Sequence, residues 1–251
     1  MRGGPAVTAR LRVAWPDPGL FRRRGGRPYR ILALADEVDV SLESEKTRAG
    51  LGPVDLIVGC GDLPVDYLRF VTDAFGSVPL AYVRGNHDVG GDWATGDATG
   101  VHLPEPLPDG RPWTDGQLTV IGFSGIPLHG GASGLQVGGF TRASQVLAAW
   151  LRTAWRPLRA PVLLVSHVAP RGINDGPDPM HRGSRALRWL ASRLRPPLWL
   201  HGHTTLLTRR LEDRSMRRGK TLFYNAAGAV LVELWPPDAV LTPESVEEEA
   251  A

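Results

Sequence analysis

LAYVRGNHD, residues 80–88, is the stretch on which the fold turns. The apolar run VPLAYV (78–83) reads as a buried strand. Gly85 lets the chain turn sharply as it leaves that strand. Asn86 and His87 then stand at the strand's carboxyl end, where open α/β sheets carry their chemistry. Asn86 offers an amide oxygen and His87 a ring nitrogen, and Asp88 follows as the group to orient the imidazole.

Working outward, an apolar run closed by a polar group recurs four times. ILALA (31–35) runs into Asp36, VDLIVGC (54–60) into Gly61-Asp62, PVLLVS (161–166) into His167, and PLWL (197–200) into His201-Gly202-His203. LESEKTRA (42–49), VDYLRFVTDAF (65–75), TRASQVLAAWLRTAW (141–155) and SRALRWLASRL (184–194) read as helices, the third with Thr141 as its N-cap. LTVIGFSG (118–125), TLFYN (221–225) and AVLVELW (229–235) add strands. Strand alternating with helix predicts a parallel sheet with crossovers. Residues 89–116, rich in Gly, Pro, Asp and Trp, break the rhythm and read as a lid or substrate wall, with Trp93 and Trp113 available to flank a ring.

At 251 residues and 42% hydrophobic content the chain can bury a sizeable core. The 29 basic and 26 acidic residues leave a net charge of +3, near neutral but unevenly spread. Residues 1–30 hold eight arginines against Asp17, and the chain from Glu233 onward holds six acids and no Lys or Arg. We therefore expect a loosely ordered basic arm (1–29) with a short strand near residues 11–15, one domain (30–235), and an acidic tail (236–251). The arm is a candidate surface for nucleic acid. A single cysteine excludes an internal disulfide framework and leads us to expect a reducing, cytoplasmic setting. No apolar run approaches the ~20 residues of a membrane span, and none has the form of a secretion signal, so no membrane partner is expected.

Asp36, Asp62, Asn86 with His87, His167 and His203 thus stand just past the ends of five apolar strands. Carboxylate, amide and imidazole donors together suit Mn, Fe or Zn better than Ca or Mg. Burying them together without a cation is costly. The expected cofactor is one or two divalent transition-metal ions, Mn foremost, with Fe or Zn as alternatives.

With Gly61-Asp62, Gly85-Asn86-His87-Asp88, His167 and Gly202-His203 in that order, the chain resembles the calcineurin-like metallophosphoesterase superfamily from about Arg30 to Trp235. The resemblance implies an α/β, four-layer sandwich of two mixed β-sheets flanked by helices. It implies metal-dependent hydrolysis of a phosphodiester or phosphomonoester, nucleotide-like and small, by a metal-bound hydroxide. By the same resemblance Asp36 and Asp62 are metal ligands, with Asp62 bridging. Asn86, His167 and His203 complete the second metal site, and His87, helped by Asp88, assists the phosphoryl group or the leaving group. Arg84 and Arg171 flank motif positions and are candidate phosphate binders, since a guanidinium matches phosphate geometry.

The departures from the family pattern fall on one side. The first motif, Asp-x-His, reads Asp36-Glu37-Val38, and the last, Gly-His-x-His, ends in Thr205. Both losses strike the first metal. We expect the second site to be intact and the first to be absent, weak or rebuilt from Glu37 or Asp39, with Val38 filling part of its pocket if it adjoins Thr205. One ion still lowers a water's pKa from about 15.7 towards ~7, but does not clamp both attacking and leaving oxygens. A slower enzyme acting on a diester or activated ester follows. Two other functions stay open: a non-catalytic metal-binding sensor or scaffold, and a nuclease using the basic arm. His201 reads as a strand residue behind the site, and His102, His129 and His181 as surface histidines in loops. Cys60 reads as a buried structural thiol.

Overall fold

Tyr29–Ala35 (β2), Leu56–Gly59 (β3) and Leu80–Tyr82 (β4) pair side by side in parallel. Helices Glu45–Leu51 (α1) and Val65–Ala74 (α2) make the crossovers. These strands are apolar at nearly every position because both of their faces are covered. Ile31, Ala33, Leu56 and Val58 join one core, while Leu32, Leu34 and Ile57 join another with Leu51, Leu68 and Val71. The computed structural model describes residues 9–91, 93, 103–130, 133–154, 161–204 and 211–239.

A second sheet has Thr119–Phe123 (β6), Val162–Ser166 (β9), Leu198–His201 (β10) and Thr221–Asn225 (β12) as its parallel centre. Pro112–Thr114 (β5) and Ser215–Arg218 (β11) pair antiparallel at its edges. Its inward residues, among them Val120, Leu163, Val165, Leu198 and Leu200, share the core of Ile31 and Val58. Its outward residues Ile121, Leu164, Trp199 and Phe223 pack on Gly139–Ala154 (α3) and Arg185–Leu194 (α4) through Val146, Ala149, Leu187 and Leu190. Two mixed sheets therefore lie face to face with helices outside, the four-layer sandwich expected. A short ribbon, Ile126–Pro127 (β7) with Gln136–Val137 (β8), follows β6. No helix among the described residues is long and apolar enough to cross a membrane.

The first sheet is mixed, as the resemblance implies, because two strands join the parallel trio. Gly228–Trp235 (β13) runs antiparallel beside β2, and Ala9–Ala14 (β1) runs parallel to β13. The arm expected to be loosely ordered is thus built into the fold from Ala9. Leu11, Val13, Trp15 and Leu20 are buried in the core between the sheets. The helix expected over 42–49 is split: a 3₁₀ turn covers Val40–Glu43, and α1 begins after Ser44, whose hydroxyl accepts from the Thr47 N–H. Thr141 is not an N-cap, because α3 has already begun at Gly139. Trp93 lies against Tyr82 with ring centroids 6.0 Å apart, and Trp113 packs on the inter-sheet core, so both pack within the fold. Residues 92 and 94–102 of the expected lid, His102 included, lie outside the described residues, as do residues 1–8 and 240–251.

Part of the arm's charge is engaged within the fold, while Arg22, Arg23 and Arg27 are exposed. In register, Arg12 faces Glu233, which faces Arg30, on the outward side of the sheet. Glu233 is 2% exposed. Its carboxylate meets Arg30 Nε at 2.9 Å, Arg12 Nε at 3.3 Å and Arg10 Nη1 at 3.9 Å. Arg24 pairs with Asp55 at 2.9 Å and donates to Gln117. Removing the one carboxylate shared by three guanidinium groups leaves them uncompensated. Glu233→Ala is expected to lower the unfolding free energy by about 2–3 kcal/mol, the arginines being partly hydrated. Urea denaturation measures it, and a loss below ~0.5 kcal/mol would show an ordinary surface ion pair.

Candidate metal centre

Five of the parallel strands each deliver one polar residue to the same end of the sandwich. Asp36 follows β2, Asp62 follows β3, Asn86 follows β4, His167 follows β9 and His203 follows β10. Three of them leave extended backbone abruptly. Asp36, Asp62 and His203 have φ of 58°, 55° and 67°, in the left-handed region. Non-glycine residues are uncommon there, Asn, Asp and His least so. The surrounding backbone fixes the turns. Asp36 N donates to Gly61 O at 3.1 Å, Asp62 N to Asp88 Oδ2 at 2.9 Å, and His203 N to both Asp36 carboxylate oxygens at 3.0 Å.

Donor atoms of Asp62, His167 and His203 all lie within 4.8 Å of one another. His167 Nε2 is the meeting point of Asn86 Oδ1 at 3.0 Å and Asp62 Oδ2 at 3.3 Å. Both histidines are anchored by carbonyls. His167 Nδ1 donates to Cys60 O at 2.9 Å, and His203 Nε2 donates to Met180 O at 2.8 Å. Each imidazole is left with one nitrogen for the cluster, the arrangement that fixes tautomer and orientation in metal sites. Two imidazoles, an amide oxygen and a carboxylate suit a borderline divalent ion. These residues therefore fit a cation.

In the metal-free centre the charged groups compensate one another. Burial pushes the Asp62 carboxyl up, but its bond to His167, that imidazole's charge and the His87 N–H outweigh it and hold it below the ordinary carboxylate value. Burial works against charge on His167, yet the bond and charge of Asp62, helped by Asp36, raise it. Burial, seconded by His167, pushes His203 down to about 4. Burial pushes Asp36 up to about 6.

Several expected site residues are placed differently. Asp36 lies outside the three-residue cluster, and its carboxylate accepts the His203 backbone N–H. Val38 is 42% exposed and fills no pocket. Asp39 caps a 3₁₀ turn by accepting from Ser41 N at 2.9 Å, and Glu37 is exposed. Thr205 lies outside the described residues. His87 is exposed, and its backbone N–H donates to Asp62 Oδ1 at 2.8 Å. Asp88 does not orient the His87 ring: its Oδ2 accepts from Gly85 N at 2.7 Å and Asp62 N, tying two strand-end loops together. The Arg84 guanidinium lies over the Trp93 ring, 5.2 Å from its centroid, and Arg171 faces Asp175 at 4.0 Å. Neither reaches the cluster through these contacts. His201 is buried beneath the site, its Nδ1 on Gly202 O at 3.2 Å.

Sequence reasoning read His181 as a surface histidine and gave the rest of the loop before α4 no role in the site. Met180 supplies the carbonyl on His203, and the His181 ring lies 5.2 Å from the His203 ring. The one signal was Asp178-Pro179-Met180-His181, an aspartate three residues before a histidine, the spacing of a side-chain-capped turn.

A family model described as calcineurin-like phosphoesterase matches residues 24–205. The crystal structure of TT1561 of Thermus thermophilus is 18% identical, with a TM-score of 0.55, and the match covers 80% of this chain and 90% of that one. Another solved chain, 16% identical with a TM-score of 0.58, matches over 82% of this chain and 95% of its own. At these identities the two structures share the fold. No curated protein matches the chain.

The approach of the loops leaves no room for side chains at two glycines. A Cβ on Gly85 would stand 2.0 Å from Asp62 Oδ1, and one on Gly61, at φ 95°, would stand 2.5 Å from Gly85 N and 2.7 Å from His167 Nδ1. Gly85→Ala is expected to displace the Asp62 carboxylate and lower bound metal to a small fraction of the wild-type content, read by elemental analysis of the purified protein. Wild-type metal content in that variant would show that Asp62 is not a ligand.

Proposed function

Because the chain belongs to the calcineurin-like phosphoesterase family, we propose that it hydrolyses a phosphate ester at a single-cation centre held by Asp62, Asn86, His167 and His203. The observation that carries this reading is the convergence of these four donors, from four different strand ends, around His167 Nε2. A divalent cation bound there supplies a Lewis acid for a phosphoryl oxygen and a water of lowered pKa. Mn, Fe and Zn suit the donor set. The chain's own residues do the rest. Asp62 stays ionised because His167 and the His87 N–H hold its pKa down. The carbonyls of Cys60 and Met180 keep the two imidazoles turned for binding. His87, exposed beside Asp62, donates to a phosphoryl oxygen or passes a proton to the leaving oxygen. With one cation the leaving group receives less help, which favours a small nucleotide-like diester or an activated ester as substrate. The free Cys60, buried in the inter-sheet core, accords with a reducing, cytoplasmic setting.

The nuclease reading draws on fewer of the arm's charges than the sequence offers, since Arg10, Arg12 and Arg24 are paired with Glu233 and Asp55, whereas Arg22, Arg23 and Arg27 are exposed. A metal-binding scaffold is favoured by a separate observation: Asp36 is engaged by His203 and Asp88 by backbone, so neither supports chemistry directly. One experiment separates the readings. With an aryl phosphodiester and an aryl phosphomonoester as probes, Asp62→Ala is expected to lose both metal and hydrolysis. His87→Ala is expected to keep its metal while kcat falls about 10²- to 10⁴-fold. Hydrolysis surviving in both variants would falsify the enzymatic role of this site. A fully metal-loaded wild type that hydrolyses neither probe turns the decision to the scaffold.

A further inference from the structure

The loop between β9 and α4 is organised by one exposed carboxylate. Asp178 Oδ1 accepts from the backbone N–H of Met180 at 3.0 Å and of His181 at 3.1 Å, and Oδ2 accepts from His181 Nδ1 at 2.8 Å. The turn is closed by Gly176 N on His181 O at 2.8 Å and Gly183 N on Asp175 Oδ2 at 2.9 Å. What this turn presents outward is aimed at one residue. Met180 O accepts a hydrogen bond from His203 Nε2, and the His181 ring lies 5.2 Å from the His203 ring, inclined by 36°. His203 also sits in a left-handed backbone, with its ring 4.8 Å from that of His167. Its orientation therefore depends on contacts made to it from outside its own strand.

We propose that Asp178 is a positioning residue for the metal centre. Through the Met180 carbonyl and the His181 ring it fixes the rotation and the tautomer of His203, and so sets how tightly a cation is held. This rests on the reading of Asp62, Asn86, His167 and His203 as cation donors. The physical reason is the two-nitrogen nature of imidazole. With Nε2–H held on a carbonyl, the lone pair resides on Nδ1, the ring nitrogen then free to bind. Without that carbonyl the ring rotates and the proton is shared between the two nitrogens, so part of the population cannot bind. Asp178 and His181 have side chains 48% and 38% exposed, so changing them leaves the core of the fold intact.

The test is titration of chelator-stripped protein with Mn(II) and Zn(II) by calorimetry, the visible spectrum of the Co(II) form, and the melting temperature of the metal-free protein. Asp178→Ala is expected to weaken cation affinity about 10- to 100-fold and to alter the Co(II) bands, with the metal-free melting temperature unchanged. Asp178→Asn keeps an oxygen for the Met180 and His181 N–H groups and is expected to restore most of the affinity. His181→Phe, which keeps a ring beside His203, is expected to bind within a few-fold of wild type. Wild-type affinity and spectrum in Asp178→Ala overturn the proposal, as does a fall in affinity matched by a fall in the metal-free melting temperature, which marks a purely structural role. A wild type that takes up no cation overturns it together with the reading of the four donors, whereas a wild type that binds while Asp178→Ala also binds normally overturns the role of Asp178 alone.

Discussion

Three strand ends turn through left-handed backbone, and the geometry of the centre depends on that constraint. Asp36, Asp62 and His203 are among five non-glycine residues with positive φ in the described residues. Each such residue costs of order 1–3 kcal/mol and persists only where its surroundings over-determine it. Here they do. The hydrogen bonds that hold the turns also join the loops in a circuit: Asp36 N to Gly61 O, Asp62 N to Asp88, Gly85 N to the same Asp88 oxygen, and His203 N to Asp36. Links cross from one sheet to the other, among them His203 N to Asp36, His167 Nδ1 to Cys60 O and His167 Nε2 to Asn86 Oδ1. The centre is therefore also where the two sheets are pinned together at their carboxyl ends. Movement of one sheet against the other would pull both imidazoles away from Asp62 and Asn86.

The two-sheet core makes this pinning possible. Ile31, Val58, Leu163, Val165 and Leu200 are fully buried between the sheets, and close packing allows them little play. The inter-sheet distance is set by apolar side chains, and polar groups are added only where the strands stop. Within this frame Asp88 has a clear task. A buried carboxylate with two backbone donors locks the Gly61-Asp62 turn to the Gly85 turn. Burial raises its pKa, and the two N–H groups oppose that rise. The loops can approach so closely because positions 61 and 85 carry no Cβ.

Much of the sandwich was legible because strands buried on both faces are uninterrupted apolar runs, and ILALA, LIV and VLLV stand out against their polar neighbours. The four converging donors were legible because each closes such a run. The pairing of β1 with β13 was not, since its partner lies more than 200 residues away and no local pattern encodes that contact. The direction of Arg84 could have been derived. Ala81 and Val83 face the inter-sheet core and Leu80 and Tyr82 face outward, so residue 84 continues the outward series and meets Trp93. Asp88 was misread because sequence adjacency suggested His87, whereas the chain turns it back onto Gly85 and Asp62. The loop of Asp178 and His181 has no periodicity, and its part in the site arises only from folding over β10.

The same circuit gives Asp36 a task that does not depend on any ion. Both of its oxygens accept the backbone N–H of His203, which holds that residue in its left-handed turn. Each carboxylate oxygen has a second lone pair, so this bond does not bar Asp36 from a cation. Val38, turned to solvent, offers no donor, and Asp39 is committed to its own turn. Neither neighbour therefore replaces the imidazole that the family motif carries at position 38, whereas His203 keeps the backbone bond that places its ring beside that of His167.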